Sequence, residues 1–193
     1  MQTRFTRRAA LFLLAAVLGG LTCACATSSK WTNQTVYARV GMKFESGRRE
    51  VGWHMYSTNH IGLPKHIPAG TKFTVSDQHR NRIDLAGEDG VLVQLEFVPR
   101  SHPGLSFDAW LERQLSTAPV ELPGDLDSRE RDAIAHGRYE VGMSRAALFL
   151  SIGYPPESLT PNQNDAKLTY ELKRFDKIAF QFDDRNRISA IQH

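Results

Sequence analysis

Three groups of residues in this chain are of types that chemistry requires. Gly142-Met143-Ser144-Arg145-Ala146 approaches Gly-x-Ser-x-Gly, the strand-to-helix turn that presents a nucleophilic serine. Its last position is alanine, however, and the only histidine after Ser144 is the terminal His193, so the acid-then-histidine order that such a nucleophile needs is not met. Ser144 reads instead as a helix cap, its hydroxyl accepting from an amide of the first turn. His54, His60, His66 and His79 crowd one region, which raises the question of a metal. Their spacing does not bring them to one helix face, and no cysteine, His-Glu-x-x-His or carboxylate cluster completes a coordination set, so no metal is expected. Arg48-Arg49 and Arg80-Asn81-Arg82 lack the interleaved aromatics of nucleic-acid platforms and read as solvated turn residues, with a modest pull on anionic headgroups at most. The expectation is a protein without enzymatic activity and without a nucleic-acid partner.

The remaining reactive side chain is a cysteine near the start. Arg4, Arg7 and Arg8 precede an uncharged run from Ala9 through Leu21, which is the layout of an export signal. The run is too short to cross a bilayer core of about 30 Å, which needs about 20 apolar residues. It ends in Leu21-Thr22-Cys23-Ala24-Cys25, which resembles the lipobox of bacterial lipoproteins. Ala24 directs cleavage to the bond before Cys25. Cleavage before Cys23 would put Thr22 where lipoproteins use Ala, Gly or Ser, so Cys23 is the weaker candidate. The resemblance implies that residues 1–24 are a signal peptide and that Cys25 carries a thioether-linked diacylglyceryl group and an acylated amino group. That covalent lipid is the only cofactor expected. Stable anchoring takes two or more acyl chains, and three make it effectively permanent. Ala26 and Thr27 lack the aspartate of the inner-membrane retention signal, which places the protein on the outer membrane, facing the periplasm.

Processing changes how composition is read. The net charge is +3, and Arg4, Arg7 and Arg8 account for all of the excess, so the mature chain is close to neutral. The sequence pI of about 9.0 is therefore no argument for nucleic acid. Removal of Cys23 leaves Cys25 as the only cysteine, which excludes an internal disulfide. Stability must come from one or two apolar cores.

The elements that would build those cores follow from patterning. Residues 25–35, rich in Ser, Thr and Asn, read as a lipidated tether. Over 36–98 apolar residues alternate, clearest in Val91, Val93, Leu95 and Phe97 and repeated in Phe73, Val75 and Ile83, Leu85, with turns at Glu45–Arg48, Pro68–Gly70 and Glu88–Gly90. This predicts a small β module of about five strands. Its segment Ile67–Val75 resembles the loop and strand of SH3-like barrels. Residues 99–126 form a connector with one helix, capped by Ser106 and presenting Phe107, Trp110, Leu111 and Leu115. Over 127–193, Asp127 and Glu130 make a capping box for a helix closed by Gly137. Ser144 then opens a second helix that Gly153 and Pro155-Pro156 end. Alternation at Leu168, Tyr170, Leu172, then Ile178, Phe180, Phe182, then Ile188, Ala190 predicts three antiparallel strands.

Ile134-Ala135-His136-Gly137, Val141-Gly142-Met143-Ser144-Arg145, Ile152-Gly153-Tyr154-Pro155, Tyr170 and Phe180-Gln181-Phe182 together resemble the SmpA/OmlA domain, the family of the outer-membrane lipoprotein BamE. The resemblance spans about residues 127–191. Gly137, Gly142, Met143, Ser144, Gly153, Pro155 and Tyr170 are its structural motif: turns, core filler, cap and stop. It implies an α+β fold with two helices on a three-stranded antiparallel sheet behind the SH3-like module. It also implies outer-membrane attachment and a scaffold role with an envelope protein partner such as the β-barrel assembly machine. A cell-wall or peptide-binding role for the SH3-like module, and a protein inhibitor on the same fold, stand as alternatives. An aromatic surface formed by Trp53 and Tyr56 would favour the cell-wall role. An exposed apolar patch on the C-terminal sheet would favour a scaffold or an inhibitor.

Overall fold

The computed structural model describes residues 30–47 and 52–193. The signal segment, Cys23, Cys25 and Arg48-Arg49 lie outside the described residues. Seven strands come first: β1 (Thr35–Ala38), β2 (Met42–Ser46), β3 (Trp53–Tyr56), β4 (Lys65–Ile67), β5 (Lys72–Gln78), β6 (Arg82–Gly87) and β7 (Leu92–Glu96). Period-two side chains send Phe73 and Val75, Ile83 and Leu85, and Val93 and Leu95 to one face, where all six are buried. A 3₁₀ turn (Pro99–Ser101) leads to α1 (Phe107–Gln114), and β8 (Leu115–Ser116) follows at once. Ser106 caps α1 by accepting from the Ala109 amide at 3.2 Å.

These eight strands make one sheet in the order β4-β2-β3-β7-β6-β5-β1-β8. Every neighbouring pair is antiparallel except β3 and β7, which run parallel with Trp53 opposite Val93 and Tyr56 opposite Glu96. The sheet curls into a half-barrel around Phe44, Met55, Val75, Leu85 and Leu95. Trp31 enters this core from ahead of β1, and Trp110, Leu111 and Leu115 enter from α1 and β8.

The second half comprises α2 (Ser128–His136), α3 (Arg145–Ile152), β9 (Lys167–Lys173), β10 (Asp176–Phe182) and β11 (Ile188–Gln192), the strands ordered β11-β10-β9. Its core holds Ile134, Met143, Leu148, Ile152, Tyr170 and Phe180. Asp127 accepts from the Glu130 amide at 2.8 Å, and the Glu130 carboxylate accepts from the Asp127 amide, which completes the capping box. Glu130 is only 4% exposed and also accepts from the Ser144 amide at 2.8 Å. One buried carboxylate thus serves the N-termini of two helices, where the helix dipole favours negative charge.

The fold class differs from the expectation stated above. In place of a five-stranded SH3-like module and a BamE-like pair of helices on a three-stranded sheet, the described residues form three α-helices and eleven strands, eight of them in one curled mixed sheet. Two features hid this from the sequence. The two-residue β8 directly follows a helix and has no alternation to show, and the parallel contact of β3 with β7 joins residues about 40 apart. Nor do the helices belong to the small sheet alone, since α2 and α3 also bond to Gly41 just ahead of β2, to β4 and to the β3–β4 loop.

Candidate functional site

The two cores are joined by a set of specific bonds, and that joint positions the cleft described below. After β3 the chain crosses to the second half. Asn59 takes φ 51°, a left-handed conformation that Asn tolerates better than most residues, and its amide donates to the Ile152 and Tyr154 carbonyls at 2.8 Å each. These are orphan carbonyls at the end of α3, and the Tyr170 hydroxyl satisfies a third by donating to Gly153 at 2.9 Å. The Ile61 and Gly62 amides donate to the Glu171 and Leu172 carbonyls at 3.0 and 2.7 Å. The loop therefore lies parallel to β9 and covers that edge of the small sheet. Ile61 itself is buried in the second core, which contributes about 2 kcal/mol to holding the loop there.

Two further contacts complete the joint. His66 on β4 donates from Nε2 to the Ile134 carbonyl at 3.1 Å. Burial pushes this imidazole down to about 4, and the neighbouring Lys43 adds to the effect. Around it the packing leaves no spare room: a Cβ at Gly137 (φ 62°) would stand 2.4 Å from His66 Nδ1, and one at Gly41 would stand 1.9 Å from the Ser151 carbonyl oxygen. On the far side His102, 4% exposed, donates from Nε2 to the Ser57 carbonyl at 2.9 Å, stacks on Phe97 and pairs through Nδ1 with Glu157. Burial works against the Glu157 charge, yet His102 and Arg113 together hold the carboxyl below its usual range.

Where the β3–β4 loop meets β9 lies a cleft of about 680 Å³, within the range of ligand-binding pockets. One wall is the end of β3 and β7 with the 3₁₀ turn, carrying Tyr56, Glu96 and Arg100. The other is the β9–β10 turn, carrying Arg174 and Phe175. His60 and Glu171 meet on its floor at 2.5 Å. Phe175 is 89% exposed and has φ 66°, in a two-residue turn position that favours Gly or Asn. Tyr56 is 40% exposed and packs edge-on to His54, which is 3.3 Å from Glu96. The Arg174 guanidinium lies 4.9 Å from the Phe175 ring centre.

The residues singled out in the sequence occupy other places. Ser144 spends its hydroxyl on the cap of α3, accepting from the Ala147 amide at 3.2 Å. Gly137 closes α2 and Gly153 closes α3, with buried Pro155 just beyond. Gly142 donates to the Ile188 carbonyl, while Met143 and Tyr170 are buried in the second core. Trp53 and Tyr56 do not form one aromatic surface, because three residues along a strand they point to opposite faces. Trp53 lines a separate cleft of about 590 Å³ with Ile67, Phe73 and Val93, and the Lys65 ammonium sits 5.3 Å from its ring centre. The four histidines are dispersed: His54 pairs with Glu96, His60 with Glu171, His66 with a backbone carbonyl, and His79 with Asp77 and Asp84. That last trio brings three potential ligand atoms within 4.8 Å of one another, but Arg82 lies 3.2 Å from Asp84 and already supplies positive charge there.

Phe175 escaped the sequence reading. The usable signal was an aromatic between two alternating strands, in Lys173-Arg174-Phe175-Asp176, where turn chemistry calls for a small or polar residue. Compared with protein families, curated proteins and solved structures, the chain finds no match.

Proposed function

We propose that this chain is a lipid-anchored, periplasm-facing lipoprotein of the outer membrane that works by holding a partner protein. The observation that carries partner binding is Phe175: a large aromatic almost fully in water, on a backbone conformation that penalises it, beside a cleft with a second exposed aromatic. The lipobox at Leu21–Cys25 supplies the anchor. No helix among the described residues is long and apolar enough to cross a membrane. The SmpA/OmlA motif residues nominate the β-barrel assembly machine as the partner. The fold itself lends that choice no weight.

A pull-down of the full-length lipoprotein from its native membrane in mild detergent tests this reading. Recovery of β-barrel assembly proteins supports it; recovery of no protein at all overturns it. The anchor is tested separately: Cys25→Ser should shift the protein to the soluble fraction or leave it unprocessed, and persistent palmitate labelling of that variant would exclude Cys25. The Trp53 cleft favours a second reading, a cell-wall or peptide ligand. Recovery of peptidoglycan fragments that Trp53→Ala abolishes would establish that role instead.

A further inference from the structure

We propose that the face of the half-barrel around Lys30, where β8 edges the large sheet and α3 comes alongside, lies against the membrane leaflet that holds the acyl chains of Cys25, and that a short tether keeps it there. This rests on the lipoprotein reading above and adds how the protein stands on its membrane.

The tether is shorter than the composition of residues 25–35 suggests, because the chain is fixed from Lys30 onward. Trp31 is 4% exposed in the first core. The Lys30 ammonium pairs with Glu112 at 2.5 Å, and the Lys30 carbonyl accepts from the Gln34 side-chain amide at 2.6 Å. The Asn33 amide donates to the Val75 carbonyl at 3.0 Å. Five residue steps separate Cys25 from Lys30. Fully stretched, they reach about 18 Å at most. Crossing the headgroup layer uses about 5 Å or more of that reach. A compact body of roughly 160 residues is about 40 Å across. The tether is less than half as long as the body is wide, so the far side cannot turn to the lipid and a side near Lys30 must.

What lies beside Lys30 suits that position. The cleft that Lys30 and Glu112 line runs into a second one of about 460 Å³, with Arg39 and Ser116 lining both. The second carries Val120, Phe149, Leu150 and Tyr154, all partly exposed, and the Tyr154 ring packs on Phe149 at 4.7 Å. Tyrosine beside apolar side chains matches the headgroup region, where one end of the ring is apolar and the other wet. Charge does not choose this face: Lys30 and Arg39 are matched by Asp108 and Glu112. Anionic headgroups neither draw nor repel it strongly, and reach decides. The Phe175 cleft shares no residue with either of these two, so membrane and partner take separate surfaces.

The lipidated protein tests this in vesicles of phosphatidylethanolamine and phosphatidylglycerol that contain a lipid with a nitroxide on its headgroup. Thr117→Cys, in the cleft that Lys30 lines, and Phe175→Cys each take a thiol-linked fluorophore, since the Cys25 sulfur is held in its thioether. Quenching at 117 should exceed that at 175 by at least about three-fold, given the reach of the tether. Equal quenching, or stronger quenching at 175, would overturn the orientation. Inserting about 20 Gly and Ser residues after Thr27 should bring the two positions to equal quenching. A difference that outlasts the insertion would overturn the tether as its cause. If Cys25 carries no lipid, the orientation and the reading of function fall together.

Discussion

The half-barrel and the C-terminal half bury their polar groups in different ways. Around the eight-stranded sheet the ladder bonds satisfy most of the backbone, and the core is apolar, with His102 the one buried ionisable side chain among the described residues there. The C-terminal half has two short helices whose ends must be closed by side chains, and it buries Glu130 to do so and Arg145 beside it. Arg145 donates to Asn186 and the Gln163 carbonyl and lies over the Phe182 ring at 4.0 Å. A sheet distributes its stability over many small, replaceable contacts, whereas this helical half concentrates it in a few polar residues that have no substitute. The same half also carries Phe175, among the described residues the one exposed aromatic at a positive φ, so the turn that bears it sits on the part held by specific bonds.

The largest expected effect breaks the comparison at the joint. Gly41→Val would force a side chain into the Ser151 carbonyl and should destabilise by about 3 kcal/mol or more. All three tryptophans, Trp31, Trp53 and Trp110, lie in the first half, so fluorescence reports that half while helix circular dichroism reports mainly the second. Coincident urea transitions in the unaltered protein would show that the halves unfold as one unit. In Gly41→Val the two signals should separate. Coincidence in the variant as well would mean that the joint does not couple them.

Glu130→Ala should cost about 2–3 kcal/mol, because it removes a carboxylate serving both helix N-termini and leaves Arg187 without its carboxylate partner at 3.3 Å. A loss of similar size from any single truncation in the exposed face of β5 would refute the contrast between distributed and concentrated stability.

Acid should loosen the joint before it affects the half-barrel. The folded protein keeps His66 neutral down to about 4, while the unfolded chain protonates it below about 6.5. Between those values the unfolded state holds more protons, so stability falls as pH falls, by roughly 2–3 kcal/mol in all. Glu157, held below its ordinary value, adds to the loss below about 4.5 as it takes up its proton. His66→Gln keeps a donor for the Ile134 carbonyl without titrating, and urea midpoints of this variant should fall less steeply between pH 6.5 and 5 than those of the unaltered protein. An unchanged slope would remove His66 from the account.

The smallest effect is a gain. Phe175→Gly should stabilise by about 1 kcal/mol, read as a rise in thermal midpoint. A fall would mean that the ring supports the fold, and the contrast between a turn kept for binding and a turn kept for folding would be lost.

Much of the local structure was legible because it depends on near neighbours. Ser106, Asp127 with Glu130, and Ser144 mark helix starts because a short polar side chain reaches an amide three residues on, and Phe73–Val75, Ile83–Leu85 and Val93–Leu95 mark strands because the pleat has period two. The candidate site was scarcely legible at all. Tyr56, Arg100 and Phe175 come from three distant stretches, and His102 meets Glu157 across 55 residues. No spacing in the chain announces such a meeting.

Residue types alone therefore settle where helices begin, which faces are apolar, and that a basic stretch followed by an uncharged run ending in two cysteines comes first, since each of these is decided within a few residues. Only three-dimensional packing decides that β3 lies parallel to β7, that two residues after α1 finish the large sheet, and that Asn59, Ile61 and His66 clasp the second half. These depend on which surfaces fit one another once both cores have formed, and the exposure of Phe175 is what remains when that fit is complete.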